Sequence, residues 1–511
     1  MCGNGINCNN KTIPEIAPLF SFVKKLVFLY ALSLTSLNAQ HFGQIGMGRY
    51  AGIHAARINP ALMANSKYLW HVNLIGCWIN ANASSYQFNP PYNGNKPARS
   101  RFADEYFRSE DKTRLQQNWF KGKWDGKDQS AALSSMLYGP SFMVRVKKFK
   151  VGLITDINSQ VRIDGMSANL SRAVFNRMDS ARGAFSSFGL NANGQSDRIA
   201  AFTAAQNQWS SIGITGAYII PMKWKRDLHV GATIKSVRGL GGSYVQSDEI
   251  QATRIAQGVY SLDKTRIQMA EYESGRGTGL DLGFAYTIRK KEHLQPGDYK
   301  FKHPDYMVHL GLSFMDIGSI LYRDVKATTF INAATAQWNA AGVTGVYQPV
   351  PDVKNVQTIL AGLPGGSTFT QNLRIGLPTR MVWSADYQFK RHWFIQSQWV
   401  QSMRSKYGNS MRHASYMMVG PRYESDLFAF TLPVMLEYDY RSIRPAASMR
   451  IGPIYIGTNS LLSAVRTRNV KDLDYFIGIS FGDIPGSWID RQGSDKEEKE
   501  KIKRAQSCDK M

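Results

Sequence analysis

Alternation between apolar and polar residues is the feature that most constrains the fold of this chain. In the segment TGLDLGFAYTI, Leu280, Leu282 and Phe284 lie on one face of an extended strand, and Asp281 and Gly283 lie on the other. Segments like this one, about nine to twelve residues long, recur along the sequence, and a tilted strand needs about that length to cross a bilayer. The pattern predicts an all-β protein whose strands each have one apolar and one polar face.

The alternating segments extend from near residue 68 to near residue 482. The first, LWHVNLIGCWI, has an expected apolar face of Trp70, Val72, Leu74 and Trp78. The last, DYFIGISF, is predicted to carry apolar residues outward and to end at Phe481. The segments indicate a transmembrane antiparallel outer-membrane β-barrel of about 12 to 16 strands, and the even strand number of bacterial barrels favours about 14.

A soluble β-sandwich or a surface adhesin is the alternative, because sandwich strands also alternate. A sandwich turns its apolar faces inward, whereas a membrane barrel turns them toward lipid and carries aromatic girdles at both interfaces. Tryptophans near predicted strand ends favour the barrel: Trp70, Trp78, Trp224, Trp383, Trp393 and Trp399.

A secretory signal peptide is predicted at residues 1–39. Lys24 and Lys25 precede an apolar run from residue 26 to residue 37, and a small residue, Ala39, marks the expected cleavage point. No later stretch approaches the ~18 continuous apolar residues of a membrane-spanning helix. These features predict export followed by insertion into the bacterial outer membrane.

Charge and motif content argue against an enzyme. The formal net charge is +24, but its Lys and Arg residues are scattered rather than gathered in one patch, which does not favour nucleic acid. GRGTGL at residues 275–280 precedes a strand instead of opening a helix, so it fails the context test for a phosphate loop. The spacing of His and Cys fits neither a zinc site nor a disulfide framework, and no Ser, His and Asp set is singled out. We expect no catalytic residues, no metal and no cofactor.

Four regions organise the chain. After the signal peptide come an entry or hatch segment at residues 40–67, the barrel at residues 68–482 and a charged tail at residues 483–511. Three polar or Ala-rich intervals interrupt the alternation and are expected to be external loops or lumen inserts, at residues 89–135, 165–207 and 325–370.

Polar residues whose strand parity opposes the apolar face are candidates for the barrel interior. Two interpretations remain open for them: a structural network that closes the pore, or contact with a solute. The candidates are Arg145, Asp156, Lys235, Asp281, Asp386 and Glu437.

The segment GQIGMGRYAGIHAARINPALMANSKYLWHVNLIG resembles the opening of an uncharacterised family of Bacteroidota outer-membrane barrels, a domain of unknown function. The later segments GTGLDLGFAYTI, YMVHLGLSFMDIGSI and NLRIGLPTRMVWSADYQF extend this resemblance over most of residues 42–482. More distantly, the Asn-Pro-Ala element is similar to one in the PorP/SprF membrane proteins of type IX secretion and in FadL-like transporters. The resemblance implies a hatch or entry turn formed by Gly52, Asn59, Pro60 and Ala61.

Two functions follow as expectations from the pattern and the resemblance. The first is a non-enzymatic passive channel for hydrophobic or amphipathic solutes. The second is a secretion- or gliding-associated, type IX-like scaffold that binds protein partners. Outer-membrane lipid, lipopolysaccharide and the barrel-assembly machinery are expected partners of either, and secretion-system proteins of the second.

Overall fold

The computed structural model of the protein describes most of the predicted barrel and its entry segment. The signal peptide and nearly all of the charged tail lie outside the described residues. The described residues are 43–84, 86–88, 120–122, 128–168, 194, 196–199, 201–224, 226–256, 259–263, 266–289, 306–331, 336–339, 357–358, 361–362, 365–406, 408–465 and 472–483.

Strands account for almost all of this structure. The helical elements are short: α1 (Gly43–Gly46), two 3-10 helices (Gly52–Arg57 and Pro60–Asn65) and α2 (Leu461–Val465). The strands are β1 (Trp70–Ala83), β2 (Tyr86–Phe88), β3 (Phe120–Gly122), β4 (Gln129–Tyr138), β5 (Ser141–Val146), β6 (Phe149–Met166), β7 (Ser196–Ile199), β8 (Phe202–Met222), β9 (Arg226–Ser247), β10 (Ile250–Ala256), β11 (Val259–Asp263), β12 (Arg266–Tyr272), β13 (Gly275–Arg289), β14 (Tyr306–Ile331), β15 (Ala336–Asn339), β16 (Gly366–Gly376), β17 (Arg380–Lys390), β18 (Trp393–Ser402), β19 (Tyr416–Glu424), β20 (Phe428–Thr431), β21 (Val434–Glu437), β22 (Ser442–Pro445), β23 (Ala447–Ile451), β24 (Ile454–Thr458) and β25 (Asp472–Asp483).

Nineteen of these segments form one closed antiparallel sheet. The sheet closes where β25 pairs with β1, with Trp70 opposite Asp483 and Asn82 opposite Asp472. A strand that crosses the barrel wall once is here called a span. Some spans are interrupted and consist of two consecutive segments that pair with the same neighbour, as β4 and β5 both pair with β1. Counted this way, the described residues contain fourteen spans, which confirms the predicted barrel. The spans are β1, β4–β5, β6, β8, β9, β12–β13, β14, β16–β17, β18, β19, β20–β21, β22–β23, β24 and β25.

The two faces of the wall have opposite polarity. On neighbouring strands β8 and β9, Ile214 is 71% exposed and its cross-strand partner Ile234 is 69% exposed. One residue farther along, Thr215 and Thr233 point inward, are fully buried and share a hydrogen bond between their hydroxyl groups. Apolar residues outside and polar residues inside are the arrangement of a membrane barrel and the reverse of a soluble sandwich.

One predicted face is wrong in β1. Trp78 was expected beside Trp70 on the outer face, but it is 1% exposed and packs inside the barrel with Tyr138, Tyr455 and Phe476. The pairing of β1 with β25 shifts register between Asn73 and Ile75. A bulge inserts one residue, and with a side-chain period of two this reverses the face of every later residue in the strand.

The two ends of the barrel differ in their connections. Turns of two or three residues join β5 to β6, β8 to β9, β17 to β18, β19 to β20 and β23 to β24 at the end where β1 begins and β25 stops. The connection between β13 and β14 is longer and lies at this same end. The other long connections lie at the opposite end, and in bacterial barrels the end with the longer loops is extracellular. Two of the predicted loop intervals, residues 165–207 and 325–370, begin and end inside strands, and the interval 89–135 ends inside β4.

Some of the long connections have structure of their own. β7, β10, β11 and β15 come from three different connections and form a separate four-stranded antiparallel sheet, in the order β15-β11-β10-β7. A two-stranded sheet of β2 and β3 lies in the connection that follows β1. None of the described helices is long and apolar enough to cross a membrane.

Candidate functional site: the occluded lumen

Residues 43–66, here called the plug, fold inside the barrel. They form α1 and the two 3-10 helices, and Ile53, Ala56, Ala61 and Met63 are fully buried. The second 3-10 helix contacts the neighbouring strands β8, β9 and β13 from inside the barrel. Small side chains make this possible, because a narrow helix leaves room for the wall side chains on every side.

Asn59 fixes the plug to the wall. Its side-chain oxygen accepts a hydrogen bond from the Ala61 N–H at 2.9 Å and so caps the second 3-10 helix. Its amide nitrogen donates to the backbone carbonyls of Phe284 and Leu312 on β13 and β14, at 3.0 and 3.2 Å. Pro60 occupies the first helical position, where a missing N–H costs nothing.

Glycines in the wall leave space for the plug. A Cβ added at Gly283 would lie 2.0 Å from the side-chain oxygen of Asn59, and one at Gly231 would lie 2.5 Å from the backbone nitrogen of Ala61. Within the plug, Gly52 has a φ of +58°, and a Cβ there would lie 2.3 Å from the ring of His71. The residues predicted as a hatch therefore make close contacts with the inner wall.

Truncating Asn59 to alanine is expected to loosen the plug. The substitution removes the helix cap and leaves two partly buried carbonyls without their side-chain donor, at a cost of about 1–3 kcal/mol. We expect faster amide exchange at Ile58 and Leu62, measured by hydrogen–deuterium exchange of the purified barrel in detergent. Exchange in the outer strand pair of Ile214 and Ile234 should stay as in the wild type, and a plug with unchanged protection would contradict the role of Asn59.

An ion-pair cluster crosses the middle of the lumen next to the plug. The ammonium of Lys235 lies 2.8 Å from Asp281 and 2.6 Å from Asp316, and the guanidinium of Arg380 lies 2.7 Å from Asp316. From the plug itself, Arg57 reaches Asp156 at 3.0 Å. The central cluster thus balances three cations and three carboxylates: Arg57, Lys235, Arg380, Asp156, Asp281 and Asp316.

A second ion-pair cluster joins β14, β17, β18 and β19. Arg422 is 2% exposed, and its guanidinium donates to Asp386 at 2.6 Å and to Gln396 at 2.8 Å. It also lies 3.1 Å from Glu424, which accepts a hydrogen bond from the Tyr50 N–H of the plug. Each charge in this cluster has a partner, as a buried charge requires.

Residues 403–406 and 408–415, here called the inner loop, fold into the lumen from the long-connection end. The side chain of Gln160 on β6 accepts from the backbone N–H of Arg412 at 3.1 Å and donates to its carbonyl. Met411 and His413 are buried. Burial, and to a smaller extent the nearby Arg380, lower the pKa of His413 to about 3, so this ring is neutral at physiological pH.

The space left between plug and inner loop is small. A cavity of about 40 Å³ is lined by residues of the central cluster and by His413. A water molecule needs at least about 10–15 Å³ of such space, so the cavity holds only a few waters. Pockets for organic ligands measure about 300–1,000 Å³. Next to the central cluster, the described residues therefore leave no room for an organic solute.

The predicted lumen residues fall into separate groups. Asp156, Lys235 and Asp281 meet in the central cluster, whereas Asp386 belongs to the second cluster. Glu437 is buried 3.8 Å from Arg444, away from both. Arg145 is half-buried near the short-turn end, where its side chain donates to the Lys147 carbonyl.

The sequence analysis did not single out three of the six residues of the central cluster, nor Arg422, which lies at the centre of the second cluster. Arg57 lies outside any alternating segment, and Asp316 adopts a left-handed φ of +57° at a bulge that breaks the period. Arg380 and Arg422 do have inward parity in β17 and β19, so a systematic parity count would have found them. Among the described residues, no three His, Cys, Asp or Glu side chains are grouped to hold a metal ion.

Comparisons with known proteins find one matching family model and several structurally similar chains. The model of a family of unknown function, DUF5723, matches residues 249–459. No curated protein matches. The toluene transporter TbuX of Ralstonia pickettii is 11% identical, over 84% of this chain and 93% of that chain, with a TM-score of 0.37. A FadL homologue of Pseudomonas aeruginosa is 12% identical, over 87% of this chain and 97% of that chain, with a TM-score of 0.35.

Proposed function

We propose that the protein is a non-enzymatic outer-membrane channel for hydrophobic or amphipathic solutes, held closed by the plug. The observation that carries this proposal is that a complete fourteen-strand barrel is occluded by segments that are not part of its wall. The wall closes through the pairing of β1 with β25 and takes no strand from the plug. A separate plug provides a lumen that can be opened by moving residues 43–66.

The bonds between plug and wall suit reversible closure. Side chains on one partner or the other make the bonds that join the plug to the wall. Among them are the hydrogen bonds of Asn59, the ion pair of Arg57 with Asp156, the bond from the Tyr50 N–H to Glu424 and that from Gln44 to Asn459, and apolar packing adds to them. No strand pairing joins the described plug residues to the barrel. Displacing the plug therefore leaves the hydrogen-bond ladder of the wall intact.

Conductance in planar bilayers and solute uptake into liposomes test the channel. We expect the wild-type barrel to be silent most of the time, with rare openings, and to admit an amphipathic solute more slowly than an open porin does. A barrel that never opens, even after the plug has been displaced by substitution, would contradict the channel.

The second candidate is a secretion- or gliding-associated scaffold, similar to the type IX components of Bacteroidota. The sheet of β7, β10, β11 and β15 supports it, because three long connections combine in one structured surface at the extracellular end. Its short outer strands β7 and β15 are edges that a partner strand can extend. A sealed barrel that crosslinks to secretion proteins in cells, and loses them when β15 is replaced by a Gly-Ser linker, would favour this candidate.

A further inference from the structure

A second cavity lies at the long-connection end of the barrel, between the wall and the inner loop. Its volume is about 260 Å³, which is several times that of the cavity at the central cluster. Strands β1, β4, β6 and β22 contribute inward-facing residues to it, and the inner loop and the turn after β21 complete it. This mouth cavity is lined by Asn82, Ser84, Ser130, Arg162, Asp164, Lys406, Arg412, Ala414, Tyr438, Asp439, Arg441, Ser442 and Arg444.

The charge of the lining is predominantly positive. Five cationic side chains line the cavity with two carboxylates, those of Asp164 and Asp439. One of the five, Arg444, is paired with Asp472 outside the lining, so the excess positive charge comes from the other four. A concave, partly desolvated site lined mainly by one sign of charge concentrates ions of the opposite sign. The five cations are Arg162, Lys406, Arg412, Arg441 and Arg444.

The two carboxylates are already engaged. Asp439 lies 2.6 Å from Arg412 and 3.0 Å from Lys406, and Asp164 lies 3.0 Å from Nε of Arg162. Burial alone would raise the pKa of Asp439, but the hydrogen bonds from Arg412 and from the Ser415 N–H lower it to about 2. Asp439 therefore stays ionised and fixes Arg412 and Lys406 in place.

Arg162 has a donor that none of these contacts satisfies. The side chain is nearly fully buried, and Nη2 donates to the Gly408 carbonyl of the inner loop at 2.7 Å. Nη1 is also buried and has no hydrogen-bond partner among the described residues. A buried, charged N–H group without an acceptor is unfavourable, and an anion in the cavity supplies one. At the solvent side of the cavity, Arg441 is exposed, and the structure gives its guanidinium no ion pair among the described residues.

We propose that the mouth cavity binds a small oxyanion, the phosphate or carboxylate group of a solute that enters from the long-connection end. Nη1 of Arg162 is its buried donor, and Arg441 is the cation that meets it first. The lining faces the lumen, whereas lipid headgroups lie against the outer face of the wall, so the geometry favours a soluble anion. Binding at this site does not require the proposed channel, because the cavity exists in the closed barrel.

Calorimetric titration of the purified barrel in an uncharged detergent with inorganic phosphate, and separately with acetate, tests the site. We expect saturable binding of at least one of them by the wild type. Arg162→Gln should weaken it about tenfold or more, the usual effect of losing one charge-assisted hydrogen bond, and Arg441→Gln should weaken it about threefold. Arg226→Gln is the matched control, because it removes the same charge from an exposed position at the opposite end of the barrel.

Heat-modified migration on gels shows whether each variant is folded. The side chain of Arg441 is exposed, so Arg441→Gln is expected to fold and to test the site even if Arg162→Gln does not fold. The proposal would be overturned if both mouth variants bound the anion as tightly as the wild type does. It would also be overturned if Arg226→Gln weakened binding as much as the mouth variants do. A phosphate-bearing lipid added to the micelles distinguishes the two sources of the anion. Binding of that lipid without binding of either free anion would overturn the assignment to a solute.

Discussion

Replacing Gly283 with valine is expected to open the lumen of the reconstituted barrel to ions. Gly283 faces the plug, and a Cβ there would lie 2.0 Å from the side-chain oxygen of Asn59 and 2.9 Å from the nitrogen of Ala61. Valine suits a β-strand, so the strand keeps its conformation and the plug has to move. Forced overpacking costs about 1–3 kcal/mol. Since each 1.4 kcal/mol is a factor of ten, the displaced plug should become about ten to a hundred times more populated.

Single-channel recording in planar bilayers measures this effect as the fraction of time spent open. The control is Gly216→Val on β8, where the added Cβ meets no atom within 4 Å. That variant should remain as closed as the wild type. If Gly283→Val folds, as shown by heat-modified migration, and stays closed, the plug does not gate the lumen and the scaffold becomes the better candidate.

The alternation of the sequence predicted the wall well because it is a local property. Each strand must present apolar groups to lipid and polar groups to the interior, so the face of Asp281 could be inferred from its neighbours alone. The error at Trp78 arose where a bulge in β1 changes the period. Bulges depend on the pairing with β25, a segment about 400 residues away, and no local pattern encodes that register.

The interior was harder to predict for the same reason. Parity placed Asp156, Lys235 and Asp281 among the candidates but could not show that they lie side by side, since they belong to β6, β9 and β13. Arg57 joins the central cluster only because the plug, which precedes the first strand, folds back into the barrel. Contacts between an irregular segment and a closed barrel depend on three-dimensional packing, which a one-dimensional periodicity does not contain.

The two ion-pair clusters suggest how the barrel can be both closed and able to open. A lumen sealed by apolar packing alone would leave the inward polar backbone and side chains without partners. Paired charges satisfy them, and water can replace each partner when the plug moves. The central cluster should therefore contribute to the stability of the closed state, and Lys235 is the cation that pairs with two of its carboxylates.

Substituting methionine for Lys235 is expected to destabilise the closed barrel strongly. Methionine keeps much of the side-chain volume but removes the cation that pairs with Asp281 and Asp316. Asp281 is fully buried and would keep only the hydrogen bond from the Asp316 N–H, whereas Asp316 would retain Arg380. Breaking a buried pair by removing one partner costs about 3–5 kcal/mol, which guanidinium unfolding of the barrel in lipid vesicles should show.

A double variant separates loss of charge from loss of packing. If the cost comes from an unpaired carboxylate, Lys235→Met combined with Asp281→Asn should recover most of the free energy of unfolding, because the remaining amide is neutral. Thr233→Val is the control, because Thr233 lies two residues from Lys235 on the same inner face of β9. It removes only a neutral hydrogen bond to Thr215 and should cost about 0.5–1.5 kcal/mol. Equal losses in the single and double variants would show that Lys235 acts by packing rather than by charge, so that the cluster seals the lumen by shape alone.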